Sequence, residues 1–149
     1  MYDVICDSAA GTFGFLIAAG EFLREHHADL FRDENKRKVF HKQMFHGFEF
    51  DSAMLRIGAM NMAPHGVENP DVSYRDSLSQ DQTYDAGIYS LILANPSFAG
   101  SLDHEATAKD LQQVVKTKKT ELLFLALFLR QLKIGGRAAV IVPDGVLFG

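Results

Sequence analysis

The sequence predicts an α/β fold, a doubly wound, mostly parallel sheet. Three observations predict it. Strand-like and helix-like segments alternate along the 149 residues. Two of the strand candidates, Leu91–Ala94 and Ala138–Val142, are uninterrupted apolar runs of the kind found in strands covered on both faces. Each of the first two strand candidates ends in an acidic residue, and Leu91–Ala94 ends in Asn95-Pro96-Ser97-Phe98, so polar chemistry is concentrated at strand ends, where ligands bind open α/β sheets.

Tyr2 to Cys6 reads as the first strand, closed by Asp7. The small-residue loop Asp7-Ser8-Ala9-Ala10-Gly11-Thr12-Phe13-Gly14 leads into a helical pattern at Phe15, Leu16, Ala19, Phe22 and Leu23. Such a loop lets backbone N–H groups approach a ligand, as at nucleotide sites, although a plain tight turn has the same composition. It is neither a P-loop nor a full dinucleotide fingerprint. Glu25 to Lys42 is charged and aperiodic and reads as a solvated connection.

Met44 to Phe48 is the second strand candidate, ending in Glu49, with Asp51 or Ser52 as cap of a helix running to Met62 on an inner face of Leu55, Ala59 and Met62. A carboxylate at that strand end suits the two hydroxyls of a ribose, or it is simply solvated. Pro64, Gly66, Asn69 and Pro70 make a turn before a brief third strand, Val72 to Tyr74, followed by Asp76-Ser77-Leu78. After the central strand, Asp103 to Val115 has helical spacing and Lys116 to Lys119 is a basic run that reads as solvated. Leu122 to Leu132 is a helix apolar nearly all round, ended by Gly135 and Gly136. Arg137 to Val142 is the fifth strand, after which Pro143-Asp144-Gly145 turns the chain.

Composition narrows the function. With 47% hydrophobic residues and a length typical of one domain, the chain can bury a sizeable core. A single cysteine, Cys6, excludes an intramolecular disulfide and suits a reducing interior; no apolar run is long enough to span a membrane, and the expected location is cytoplasmic. A formal charge of −4 argues against independent strong binding to polyanions, so work on nucleic acid requires a basic partner. The six histidines are scattered, no metal site is expected, and no nucleophile has a paired base, which points to chemistry carried by a bound cofactor. At Asn95 to Phe98 an amide, a carbonyl on a residue of fixed φ and an aromatic face lie together, a set able to hold a planar base, although Asn-Pro also simply starts turns.

The acidic loop after strand one, the acid after strand two and Asn-Pro-x-Phe after strand four together resemble an N-6 adenine-specific DNA methyltransferase. More closely, the chain resembles the modification (methylase) subunit of type I restriction-modification systems. The matching stretches are Gly47 to Asp51, Met54 to Asn61, Leu91 to Asp103, Lys118 to Phe124 and Gly135 to Gly149. The resemblance implies a Rossmann-like S-adenosylmethionine-dependent methyltransferase fold over residues 1–149, a single partial catalytic domain truncated at both ends, without the N-terminal helical domain and the C-terminal strands.

It also implies the roles of individual residues. S-adenosyl-L-methionine is the expected cofactor, held at Asp7, Ala9, Gly11, Thr12, Phe13 and Gly14 for the methionine part, Glu49 for the ribose, Asp76 for the adenine, and Asn95. Asn95, Pro96 and Phe98 are the expected catalytic residues, Phe98 stacking the target adenine. Double-stranded DNA and the specificity and restriction subunits of a type I complex are the expected partners. The family's loop pattern is Asp-Pro-x-x-Gly-x-Gly-Gly-Phe; Ser8 stands at the proline and Phe13 at the middle glycine, where a ring is expected to fill volume that the cofactor needs. Ser97 replaces the second proline of Asn-Pro-Pro-Phe. Two other readings follow: a catalytically inactive remnant serving as an interaction module and, far less in keeping with Asn-Pro-x-Phe, a nicotinamide-dependent dehydrogenase.

Overall fold

A computed structural model describes residues 2–79, 85–96, 107–117 and 119–148. Five parallel strands form one sheet in the order β3-β2-β1-β4-β5: β1 Ile5–Asp7, β2 Phe45–Glu49, β3 Asp71–Tyr74, β4 Tyr89–Ala94 and β5 Leu132–Val140. The order reverses between β1 and β4, so the loops that follow these two strands open from a common crevice.

Alternation along each strand divides the core into two layers. On one face Cys6, Phe48, Ile92 and Ala94 pack with Leu111 and with Leu123, Leu127 and Phe128 of helix α5 (Thr120–Gln131). On the other, Ile5 and Phe45 pack with Leu16 and Ile17 of α1 (Gly14–His26) and with Met62 of α3 (Ser52–Met62). Of the two cap candidates, Asp51 and Ser52, it is Asp51 that caps α3, accepting from the amides of Ala53 and Met54.

Four segments depart from the sequence reading. The charged stretch 25–42 holds a 3-10 turn, Ala28–Phe31, and a helix α2, Glu34–Lys42, capped by Asp33. Its one fully buried residue, Phe40, meets Phe31 and Phe45 edge-on with centroids 4.8 and 5.2 Å apart; a single aromatic anchor leaves little periodicity to read. Gly135 and Gly136 lie within β5 rather than ending α5. The helix stops at Gln131, β5 pairs from Leu132, and the extra residues are taken up in an irregularity opposite Tyr89 to Leu91. Past the turn expected at Pro143-Asp144-Gly145, Asp144–Phe148 forms a short helix, α6, which takes in two of the turn residues. Of the helical pattern at Asp103 to Val115, the described part is α4, Lys109–Val114. None of these changes moves the strand ends that carry the polar residues.

Among the described residues, no helix is long and apolar enough to cross a membrane.

Candidate active site

Asp7 ends β1, Glu49 ends β2, and Asn95 follows β4, so all three emerge on the same edge of the sheet. Two hollows occupy this edge. One, of about 690 Å³, is lined by the loop at Ser8, Ala9 and Gly11, by Glu49 and Phe50, by Arg75, Asp76 and Ser77, and by Asn95 and Pro96. The other, of about 470 Å³, lies over the N-terminus of α1 and is lined by Asp7, Ala9, Gly11, Thr12, Gly14 and Asn95. Ala9, Gly11 and Asn95 belong to both, so the hollows adjoin across the β1 loop and the β4 end. A further apolar hollow of about 510 Å³ opens elsewhere, beside Tyr2, Phe22 and Leu91, and contains none of the strand-end residues.

The β1 loop is fastened to β2. The Ala10 amide donates to the Phe48 carbonyl at 3.0 Å and the Gly11 amide donates to Oε2 of Glu49 at 2.7 Å. Oε1 of Glu49 accepts from the Asp51 amide, also at 2.7 Å, so the carboxylate is oriented through both oxygens. Each oxygen has two acceptor sites, and one on each remains for a ligand's hydroxyls. Gly11 adopts a φ of +54°, and a β-carbon at this position would meet nothing within 4 Å, so the loop passes an open volume.

Phe13 is where the structure corrects the sequence reading most sharply. Its ring does not enter either hollow; it is fully buried between β2 and α3. Phe45, Gly47 and Glu49 share one face of β2, and the missing side chain of Gly47, with that of Gly58 on α3, leaves the recess that the ring occupies. A β-carbon on Gly58 would stand 2.6 Å from the ring, and one on Gly47 would stand 3.0 Å from it. The backbone at Phe13 is left-handed, φ +63°, which costs a non-glycine residue about 1–2 kcal/mol. Burying the whole ring offsets this by about 1.5–3 kcal/mol. Phe13 thus adopts a backbone that favours glycine and is held there by its side chain.

Ser8, at the position of the family's proline, is also integrated. Its hydroxyl donates to Oε1 of Gln131 at 2.7 Å, and its carbonyl accepts from the Ser77 hydroxyl at 2.7 Å, both buried. Asp7 lies beneath the loop with one oxygen accepting from the Ala9 amide at 3.1 Å. Burial pushes its carboxyl up to about 7; the Ala9 hydrogen bond opposes this and the nearby Glu49 charge adds to it. Cys6 is pushed up to about 12 by burial, consistent with a structural thiol.

Asp76 borders the larger hollow and accepts from the Leu78 amide at 3.1 Å. Of the expected site residues, Asp7, Ala9, Gly11, Thr12, Gly14, Glu49, Asp76, Asn95 and Pro96 border one or both hollows, and Phe98 and Ser97 lie outside the described residues. Sequence reasoning missed Phe50 and Arg75. Phe50 is exposed beside Glu49 and lies 5.6 Å from the Tyr74 ring, an aromatic face at the mouth of the larger hollow. Arg75 stacks its guanidinium 3.6 Å over the Phe48 ring and pairs with Asp85. Their adjacency to Glu49 and Asp76 is the signal that marks them.

The N-6 DNA methylase family model matches residues 2–149. Among curated relatives, the methylase subunit of the type I restriction enzyme EcoEI of Escherichia coli is 31% identical over 147 residues, 97% of this chain and 29% of that subunit. The crystal structure of the type I restriction enzyme EcoKI M protein superposes with a TM-score of 0.84 at 30% identity, covering 97% of this chain and 30% of that one. A modification subunit of a putative type I restriction enzyme from Vibrio vulnificus gives 0.76 at 31% identity, covering 97% and 31%. The chain therefore spans about three tenths of the length of these relatives.

Proposed function

The chain belongs to the N-6 DNA methylase family, and from that we propose that it forms the catalytic core of a DNA adenine-N6 methyltransferase of the type I restriction-modification class. The observation that carries this reading is that Asn95 and Pro96, following β4, border the same hollow as the β1 loop, Glu49 and Asp76. A methyl donor and a methyl acceptor require such a shared volume.

The residues present fit S-adenosylmethionine. Gly11 leaves open space beside the loop, and the Glu49 carboxylate, oriented by the Gly11 and Asp51 amides, keeps acceptor sites for two ribose hydroxyls. Asp76 and Phe50 offer an acceptor and a flat face for an adenine, and Asp7, Thr12 and Gly14 border the hollow suited to the methionine part. When bound, the cofactor supplies an electrophilic methyl group on a sulfonium.

The chain's own residues then act on the acceptor base, which must leave the DNA stack to reach this crevice. The Asn95 side-chain oxygen and the Pro96 carbonyl accept from the exocyclic amine of adenine and stabilise the positive charge that grows on its nitrogen. Phe98 is assigned the stacking role on the extruded base. A net charge of −4 gives this chain little phosphate affinity of its own, which is in keeping with assembly with the specificity and restriction subunits on double-stranded DNA.

Calorimetric titration with S-adenosylmethionine, followed by transfer of a labelled methyl group to unmethylated DNA in the presence of a specificity subunit, tests the reading. Saturable binding and label on adenine N6, lost in Asn95→Ala, are expected. An absence of binding would leave the chain as an interaction module.

A further inference from the structure

We propose that Phe13 is a positioning residue: its ring, seated in the recess of Gly47 and Gly58, holds the β1 loop so that the Gly11 amide stays on the Glu49 carboxylate. This rests on the assignment of that loop and that carboxylate to the cofactor. Three successive residues of β2 receive the loop. Gly47 takes the Phe13 ring, the Phe48 carbonyl takes the Ala10 amide at 3.0 Å, and the Glu49 carboxylate takes the Gly11 amide at 2.7 Å.

The Gly11–Glu49 hydrogen bond is only partly buried at the strand end, where water competes for the same groups. The ring is the one apolar, fully buried attachment within Gly11 to Gly14. Between Gly11 and Phe13 the backbone enters the left-handed region twice, at φ +54° and +63°, a course that a small-residue loop leaves readily unless something fixes its far end. Phe13 fixes that end. Its amide closes the turn onto the Ala10 carbonyl at 2.7 Å, and its carbonyl accepts the Ile17 amide, the first bond of α1, at 2.9 Å. The ring thus ties the loop, the helix start and the strand bearing Glu49 into one unit.

The test compares the chain with its Phe13→Ala, Phe13→Gly and Phe13→Leu variants, using calorimetric titration with S-adenosylmethionine and hydrogen exchange of the Gly11 amide. Phe13→Ala and Phe13→Gly are expected to weaken cofactor binding about tenfold and to speed Gly11 exchange by a similar factor, a change smaller than the full worth of one buried ring. Phe13→Leu, which refills most of the recess, is expected to restore both. Gly58→Ala provides an independent route, since its methyl would press on the ring from 2.6 Å. It is expected to weaken binding when Phe13 is intact and to cause no further loss when combined with Phe13→Ala in the double variant.

Binding by Phe13→Gly as tight as or tighter than that of the unaltered chain would overturn the proposal, because the ring would then be an obstruction. So would a lower melting temperature with unchanged affinity and unchanged Gly11 exchange, the signature of a merely structural ring. If no variant binds the cofactor, the functional assignment fails by itself, and the exchange of Gly11 alone then decides the role of Phe13.

Discussion

Replacing Asp7 by asparagine is expected to make the folded chain more stable at neutral pH and to do so only above about pH 4. Asp7 is 2% exposed at the end of β1, and burial raises its carboxyl from 3.8 to about 7. Between those values the native state keeps a proton that the unfolded chain gives up. Stability contributed by this group is therefore complete below about pH 3.8 and is lost as pH rises towards 7, above which the loss is constant. At about 1.4 kcal/mol per pH unit the full effect is on the order of 4 kcal/mol, a large part of the roughly 5–15 kcal/mol typical of a domain.

Asparagine cannot ionise and retains an oxygen for the Ala9 amide. Urea unfolding of both proteins from about pH 4 to about pH 8.5 should give a stability difference that widens in favour of Asp7→Asn up to about pH 7 and then levels. Parallel pH profiles would refute the reasoning, since they would mean that the native carboxyl ionises as easily as the unfolded one. A ligand is linked to the same proton. A cation bound near Asp7 favours its ionised form, so S-adenosylmethionine should bind more tightly as pH rises through about 7 and should release a proton below it, measurable as buffer-dependent heat.

Two further outcomes follow from contacts at the site. Glu49→Ala removes the acceptor of the Gly11 and Asp51 amides and should abolish measurable cofactor binding in calorimetry, with a loss of about 1–3 kcal/mol in urea unfolding. Gln131→Leu removes the acceptor of the buried Ser8 hydroxyl and should cost about 1–3 kcal/mol; pairing it with Ser8→Ala should recover part of that, so additive losses in the double-mutant cycle would show that the two side chains are uncoupled.

The obstruction expected of Phe13 shows how a sequence-based inference reaches its limit. A ring in place of a loop glycine implies lost volume when only the loop is considered. The recess that receives it is made by Gly47 and Gly58, 34 and 45 positions later, and neither glycine announces a partner in the sequence. Gln131 was equally silent: nothing near it in the apolar helix that it ends marks it, yet it is 2% exposed and satisfies a hydroxyl in the β1 loop.

By itself the sequence determined the strand and helix alternation and the strand-end positions of Asp7, Glu49 and Asn95, because apolar periodicity is a local property of the chain, and its matching stretches carried the resemblance to the family. Only the tertiary structure decided that the β1 loop and the β4 end border one crevice, that Phe13 points into the core, and that burial alters Asp7. Those outcomes depend on which distant residues a side chain meets and how much water it loses, and both are fixed by packing rather than by neighbours in the chain.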